Sequence, residues 1–375
     1  MLATKQAKLN KYPVWCSRFW HGLRFGDWLS LLAKNRFRIH PLRLPLAVAV
    51  SAWTPWNSVF SLVQKILLTH RISSTEIAPP LFILGHWRSG TTYLHELLAR
   101  DCRFTSPSTL DCFLPHHSLI SGWFFTRFGG FMVPSQRPQD NVAAGWWHPQ
   151  EDEFALMNLG LPSPYLRMAF PNHPPVHTNY LDSQAIPADE RADWLDGLED
   201  FVRVVSYRDP GKSVVLKSPT HLGRLEALAE RFPTARFVHI IRDPASVFPS
   251  TQRLWRSLDL VQGLQIPENR DLDEYVLSNL ETMYAAFERQ RTSLPDSRIC
   301  DVRYEDLVAD PLREVSRIYQ QLELADFAPA RPALAQYVES QRNFHGNKHH
   351  LQADEQQQIA SRWGRFFQPY GYDLD

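Results

Sequence analysis

The rhythm of apolar and polar positions changes near residue 79. Beyond that point short apolar runs alternate with segments of helical spacing. Leu81-Phe82-Ile83-Leu84 is bounded by Pro79, Pro80 and Gly85, the pattern of a buried parallel strand. Helical spacing follows from Thr92 to Arg100. Val214-Val215-Leu216 leads into a predicted helix over 221–232, and the apolar run 237–241 leads into another that begins near Ala245. A long amphipathic helix is predicted over 272–294, a strand over 298–304, and a helix over 311–324 with Pro311 at its start. Strands alternating with helices predict an α/β fold, a mostly parallel sheet flanked by helices.

Two segments depart from this alternation. Residues 1–78 read as an N-terminal helical extension, broken by Pro41, Pro45 and Pro55, ahead of an α/β domain over 79–375. Within it, Phe19, Trp20, Leu23, Trp28, Leu29, Leu31 and Leu32 stand among Arg18, Arg24, Lys34 and Arg36. That mixture fits peripheral membrane contact through residues 14–40, or a helix packed on the main domain. The apolar stretch from Leu44 to Leu68 carries Pro45, Pro55, Asn57, Gln64 and Lys65. A spanning helix needs about 20 mostly apolar residues, so no transmembrane segment is predicted. The second departure is a Pro- and aromatic-rich insertion at about 103–190, the kind of long excursion that forms a lid or substrate cleft.

Composition narrows the partners. Forty Lys and Arg balance forty Asp and Glu, which gives no support to general polyanion or nucleic-acid binding. Phosphate groups must therefore be held by a few local cations. Cys16, Cys102, Cys112 and Cys300 show no paired or metal-ligand spacing, and the N-terminus has no apolar signal core. A protein with reduced thiols is expected, cytoplasmic and either free or membrane-associated.

The chemistry-bearing motif is Gly85-His86-Trp87-Arg88-Ser89-Gly90-Thr91-Thr92. Its glycines and final Thr match the spacing G-x-x-x-x-G-K-[ST], between a strand and a helix. In such a loop, backbone N–H groups close around an anion at a helix N-terminus. Thr91 stands where the usual lysine would be, and Arg88 supplies a cation inside the loop. This P-loop-like cradle suits a smaller, metal-free group such as a phosphosulfate. Gly211-Lys212-Ser213 resembles the end of a similar loop, but Ser206 stands where its first Gly should be and a strand follows.

With these residues the chain resembles the sulfotransferases that use 3′-phosphoadenosine 5′-phosphosulfate (PAPS), in their bacterial and tyrosylprotein-sulfotransferase-like branch. Arg88-Ser-Gly-Thr-Thr92, Arg242-Asp-Pro with Ser250, Lys217-Ser-Pro and Val302-Arg-Tyr-Glu-Asp-Leu307 carry the resemblance over roughly 79–310. It implies that Gly85, Arg88, Ser89, Gly90, Thr91 and Thr92 hold the 5′-phosphosulfate. It further implies that Arg242 and Ser250 bind the 3′-phosphate, that Tyr304 touches the nucleotide, and that Lys217 meets the transferring group.

Sulfuryl transfer, like phosphoryl transfer, calls for in-line attack and charge stabilisation. Arg88 and Lys217 are the candidates for that charge. For the base, Glu153 is taken ahead of Glu151, with His86, His116 and His117 behind them. An acidic triplet ahead of a helix equally reads as dipole complementation. Asn343-Phe-His-Gly-Asn-Lys348-His-His is a candidate loop over the nucleotide, or a solvated turn. No metal is expected. The acceptor is a carbohydrate, lipid or small molecule. The competing readings are a P-loop kinase using Mg·ATP and a catalytically idle nucleotide-binding module.

Overall fold

The computed structural model describes residues 12–13, 15–136, 144–342 and 351–373. Five parallel strands form one sheet in the order β2-β3-β1-β4-β5: β1 (Leu81–Leu84), β2 (Phe104–Thr105), β3 (Ser213–Lys217), β4 (Arg236–Ile241) and β5 (Ile299–Arg303). The α/β prediction is correct. Period-2 alternation splits the sheet's side chains between two cores. Phe82, Leu84, Val214, Leu216, Phe237 and Ile241 join the larger one. Leu81, Ile83, Val215, Val238 and Ile240 pack on the other face against Leu94, Leu97, Val315 and Ile318.

The observed elements refine the expected ones. Lys217 is the last residue of β3 rather than the first beyond it. The helix expected over 221–232 opens as a 3-10 turn, Pro219–Arg224, before the α-helix Leu225–Arg231. This turn packs closely on the insertion: a Cβ on Gly223 would run into the Leu181 carbonyl. The short strand β2 was not anticipated, because two residues carry no periodicity.

The prolines of the N-terminal extension divide it less than their number suggests. Pro41 starts a 3-10 turn and Pro45 lies in the first turn of a 30-residue helix, Leu44–Ser73. First-turn prolines lose no hydrogen bond. Pro55 lies inside this helix without ending it. Among the described residues, Pro41–Ser73 is long and apolar enough to cross a membrane by length and composition, since the prolines do not interrupt it. The aromatic run upstream packs inward. Phe19, Trp20, Leu23, Trp28, Leu31 and Leu32 are buried in the same core as the sheet, so these side chains offer no apolar face to a membrane.

Candidate active site

The β1–β3–β4–β5 register brings the selected residues to one edge, the carboxyl end of the sheet, where open α/β sheets bind ligands. Ile241 pairs with Arg303, so the residues that follow, Arg242 and Tyr304, are neighbours. The Arg242 guanidinium lies 4.3 Å from the Tyr304 ring centroid, and its Nη1 donates to the Arg88 carbonyl at 3.2 Å. Arg88 Nε donates to Ser250 Oγ at 2.9 Å. The loop after β1 and the β4 segment with its following helix, Pro244–Gln262, thus form one continuous cationic surface. That helix is capped by Asp243, whose side chain accepts from Ala245 N.

Backbone geometry explains the loop's glycines. Gly90 sits at φ 99°, and a Cβ there would collide with the Tyr304 ring. A Cβ on Gly85 would approach Ile240 O to 2.6 Å. Arg88 itself adopts φ 70°, an uncommon left-handed conformation for a side-chain-bearing residue. Ser89 N and Oγ both donate to His86 O, at 3.2 and 2.8 Å, closing the turn. Thr91 and Thr92 begin the helix Thr91–Leu98, whose N-cap is Gly90. The look-alike Gly211-Lys212-Ser213 lies at the amino end of β3, opposite Lys217.

The acidic triplet divides its labour. Glu151 is the N-cap residue of the short helix Asp152–Asn158. Its Oε1 accepts from Lys217 Nζ at 2.8 Å and its Oε2 from Tyr165 Oη at 2.6 Å. Tyr165 Oη in turn accepts from Trp87 Nε1 at 2.8 Å, tying the loop to the insertion. Burial first, and then the Glu151 charge, push the Tyr165 phenol well above its usual pKa, so it stays a donor.

Glu153 is fully buried and its oxygens accept from Arg224, Ser163 and Thr220. Asp152 accepts from His221 Nε2 at 2.6 Å and Ser218 Oγ at 3.0 Å. Burial disfavours both charges. Even so, Arg224 holds Glu153, and His221 with Ser218 holds Asp152, below the usual carboxylate range. These two acids pin the insertion to the segment after β3.

The histidine runners-up lie elsewhere or are locked. His86 is buried within the loop, with Nδ1 on the Trp87 carbonyl at 3.0 Å, and burial pushes its pKa down to about 3. His116 bonds the Asn158 carbonyl, and His117 bonds Asn57 and Ser121. Burial lowers both to about 4. The candidate loop 343–350 lies outside the described residues. Among the described residues no cluster of His, Cys, Asp or Glu could hold a metal ion.

A cleft opens beside Glu151, lined by Trp87, Phe113, Phe154, Tyr165, Leu254 and Leu258, with His148 and Gln150 at its polar side. The Gly85–Thr92 loop thus adjoins an apolar, aromatic cleft, with a carboxylate–ammonium pair between them. Tyr165 escaped sequence reasoning. It sits in the stretch Leu161-Pro-Ser-Pro-Tyr165, and nothing in that stretch marks it as a partner of Trp87 and Glu151.

A model of the sulfotransferase family matches residues 79–329. The chain belongs to the sulfotransferase family. Two mycobacterial relatives, from Mycobacterium bovis and Mycobacterium tuberculosis, are named omega-hydroxy-beta-dihydromenaquinone-9 sulfotransferase Stf3. Each is 40% identical to this sulfotransferase over 98% of its chain and 94% of theirs. Carbohydrate sulfotransferase 4 of Mus musculus is 23% identical over 77% of this chain and 76% of its own. Among solved structures, sulfotransferase STF9 from Mycobacterium avium superposes with TM-score 0.67 at 18% identity, covering 98% of this chain and 94% of that one. STF1 from Mycobacterium tuberculosis gives 0.59 at 19% identity, over 84% and 86%. These likenesses establish the fold, and the family match establishes an enzyme.

Proposed function

We propose that this sulfotransferase moves the sulfuryl group of PAPS onto the hydroxyl of an apolar lipid, of the hydroxylated isoprenoid-quinone class named for its mycobacterial relatives. The observation that carries this reading is the Glu151–Lys217 pair, at 2.8 Å, set between the anion loop and the aromatic cleft.

In this reading the loop amides and Arg88 hold the 5′-phosphosulfate, while Arg242 and Ser250 hold the 3′-phosphate. The acceptor hydroxyl enters from the cleft. Its proton passes to the Glu151 carboxylate as the new oxygen–sulfur bond forms. The bond between sulfur and the bridging oxygen of the 5′-phosphate breaks in line, and 3′,5′-adenosine bisphosphate leaves. Lys217 and Arg88 stabilise the charge that develops on the sulfuryl and bridging oxygens. Glu151 is favoured over Glu153 because it lines the cleft and is partly exposed, whereas Glu153 is fully buried among Ser163, Thr220 and Arg224. Thr91, in the place of a nucleoside-triphosphate loop lysine, weighs against the kinase reading.

The test is incubation with radiosulfur-labelled PAPS and a short-chain ω-hydroxylated menaquinone, followed by mass spectrometry of the lipid fraction. A gain of one sulfuryl group is expected. Label appearing only on carbohydrate or phenolic acceptors would overturn the lipid assignment, and turnover only with Mg·ATP would overturn the donor.

A further inference from the structure

The Leu44–Ser73 helix is built inside out. The residues it buries include Thr54, Asn57 and Gln64, and its protein-facing side is rich in hydrogen bonds. Asn57 Nδ2 donates to the carbonyls of His21 and Leu23, and its Oδ1 meets His117 Nε2. Gln64 Oε1 accepts from Leu119 N, Ser51 Oγ from Trp28 Nε1 and Ser58 Oγ from Phe25 N. The outward side carries Val48, Trp56, Val59, Leu62 and Ile66, which are 52–73% exposed. A helix on a water-facing surface shows the reverse order.

The apolar surface continues on the neighbouring helix, Ser118–Phe128. Trp53 and Phe125 join the two helices edge to face at 5.9 Å. Beyond that contact Trp123, Phe128 and Phe131 are 58–69% exposed. Monomers seldom leave so large a contiguous apolar patch uncovered.

Charge selects what covers it. Residues 28–75 contain six Lys and Arg (Lys34, Arg36, Arg38, Arg43, Lys65 and Arg71) and no Asp or Glu. Lys34, Arg36, Arg38, Lys65 and Arg71 are exposed. An apolar helical face flanked by cations and set with tryptophans is complementary to an anionic bilayer surface. The polar side of the helix is held by the protein along its length, about 45 Å for 30 residues. It therefore lies in the plane of the interface rather than crossing it.

We propose that this face docks the enzyme on anionic lipid bilayers through the Leu44–Ser73 and Ser118–Phe128 helices. The dock also opens a route to the site. Val133 and Pro134, two and three residues beyond exposed Phe131, line the cleft that contains Glu151. A lipid acceptor passes along this aromatic segment without entering water. The route rests on the lipid reading of the acceptor; the docking does not.

The experiment is flotation of the full chain with phosphatidylcholine vesicles containing phosphatidylglycerol, without donor or acceptor. The protein is expected to float, less so at high salt or with phosphatidylcholine alone. Val59→Gln combined with Ile66→Gln changes two outward side chains one heptad apart. It should lower vesicle partition roughly tenfold or more and leave thermal unfolding unchanged. Turnover of a detergent-dispersed acceptor should also stay unchanged, while turnover of the same acceptor embedded in vesicles falls. A wild-type protein that stays in solution, or a double variant that floats equally well, overturns the docking. So does a wild-type dimer that the double variant splits in the absence of vesicle binding, since the face then belongs to a second copy. Flotation without any sulfated lipid product upholds the docking and overturns only the acceptor assignment.

Discussion

Lys217 Nζ and Glu151 Oε1 meet at 2.8 Å although 66 residues separate them. One is the last residue of a sheet strand and the other the N-cap of a helix in the insertion. The contact is rigid because both neighbours of Glu151 in the triplet are anchored: Asp152 to His221 and Ser218, Glu153 to Arg224. A carboxylate held this way stays beside the ammonium without being enclosed by it.

Glu151 and Glu153 should therefore fail differently. Glu151→Gln removes the proposed proton acceptor and is expected to lower kcat by about 10²–10⁴. It also takes the counter-charge from buried Lys217, but at the partly exposed carboxylate of that pair, so its melting temperature should fall less than that of Glu153→Gln. Glu153→Gln leaves the buried Arg224 without its counter-charge and should cost about 3–5 kcal/mol of stability. Steady-state turnover and thermal unfolding of both variants separate the two roles. Equal loss of activity at unchanged stability in both would remove the distinction.

Gly90 tests the loop. Gly90→Ala places a methyl group against the Tyr304 ring at φ 99°. The backbone conformation alone costs about 1–2 kcal/mol, and the ring must shift from beneath Arg242. Calorimetric affinity for 3′,5′-adenosine bisphosphate should fall at least roughly tenfold, with the fold retained by circular dichroism.

Much of this arrangement was legible in the chain. The strands β1, β3, β4 and β5 are apolar runs between turn residues, and the cradle is a spaced motif, so Arg88, Arg242 and Lys217 were placed at strand ends. The insertion was opaque because its order comes from long-range polar contacts. Nothing local distinguishes Glu151 from Glu153, whose partners Lys217 and Arg224 lie beyond residue 210. The inverted helix misled for a related reason. Its Pro55, Asn57 and Gln64 read as interruptions of an apolar stretch, yet Asn57 and Gln64 are the residues that fasten it to the protein.

Arg242 and Ser250 should confer the preference for a ribose phosphorylated at the 3′ position. Arg242→Ala is expected to weaken 3′,5′-adenosine bisphosphate by about 1.5–3 kcal/mol, the range of a charge-assisted hydrogen bond. Binding of 5′-AMP should change far less. Ser250→Ala should give a smaller loss, and it also removes the hydroxyl that accepts from Arg88 Nε. Equal weakening of both nucleotides would place Arg242 on the 5′ side.

The pH dependence of stability carries two opposite signs. Asp152 and Glu153, with folded pKa values below normal, stabilise the fold above their unfolded pKa and lose that contribution as pH falls through the folded values. Asp259 behaves in reverse. It pairs with Arg167 at 3.0 Å beneath Trp255 and Tyr275, but burial outweighs the arginine and lifts its pKa to about 6. Between that value and the unfolded one of 3.8, the folded chain holds a proton that the unfolded chain has released. The Asp259 contribution to stability should therefore decline as pH rises through this window, by about 1.4 kcal/mol per unit. Asp259→Asn removes the titration, so urea unfolding at a series of pH values should show the variant gaining on the wild type as pH rises from 4 to 6. Parallel curves for the two proteins across that window would show that Asp259 ionises normally in the fold.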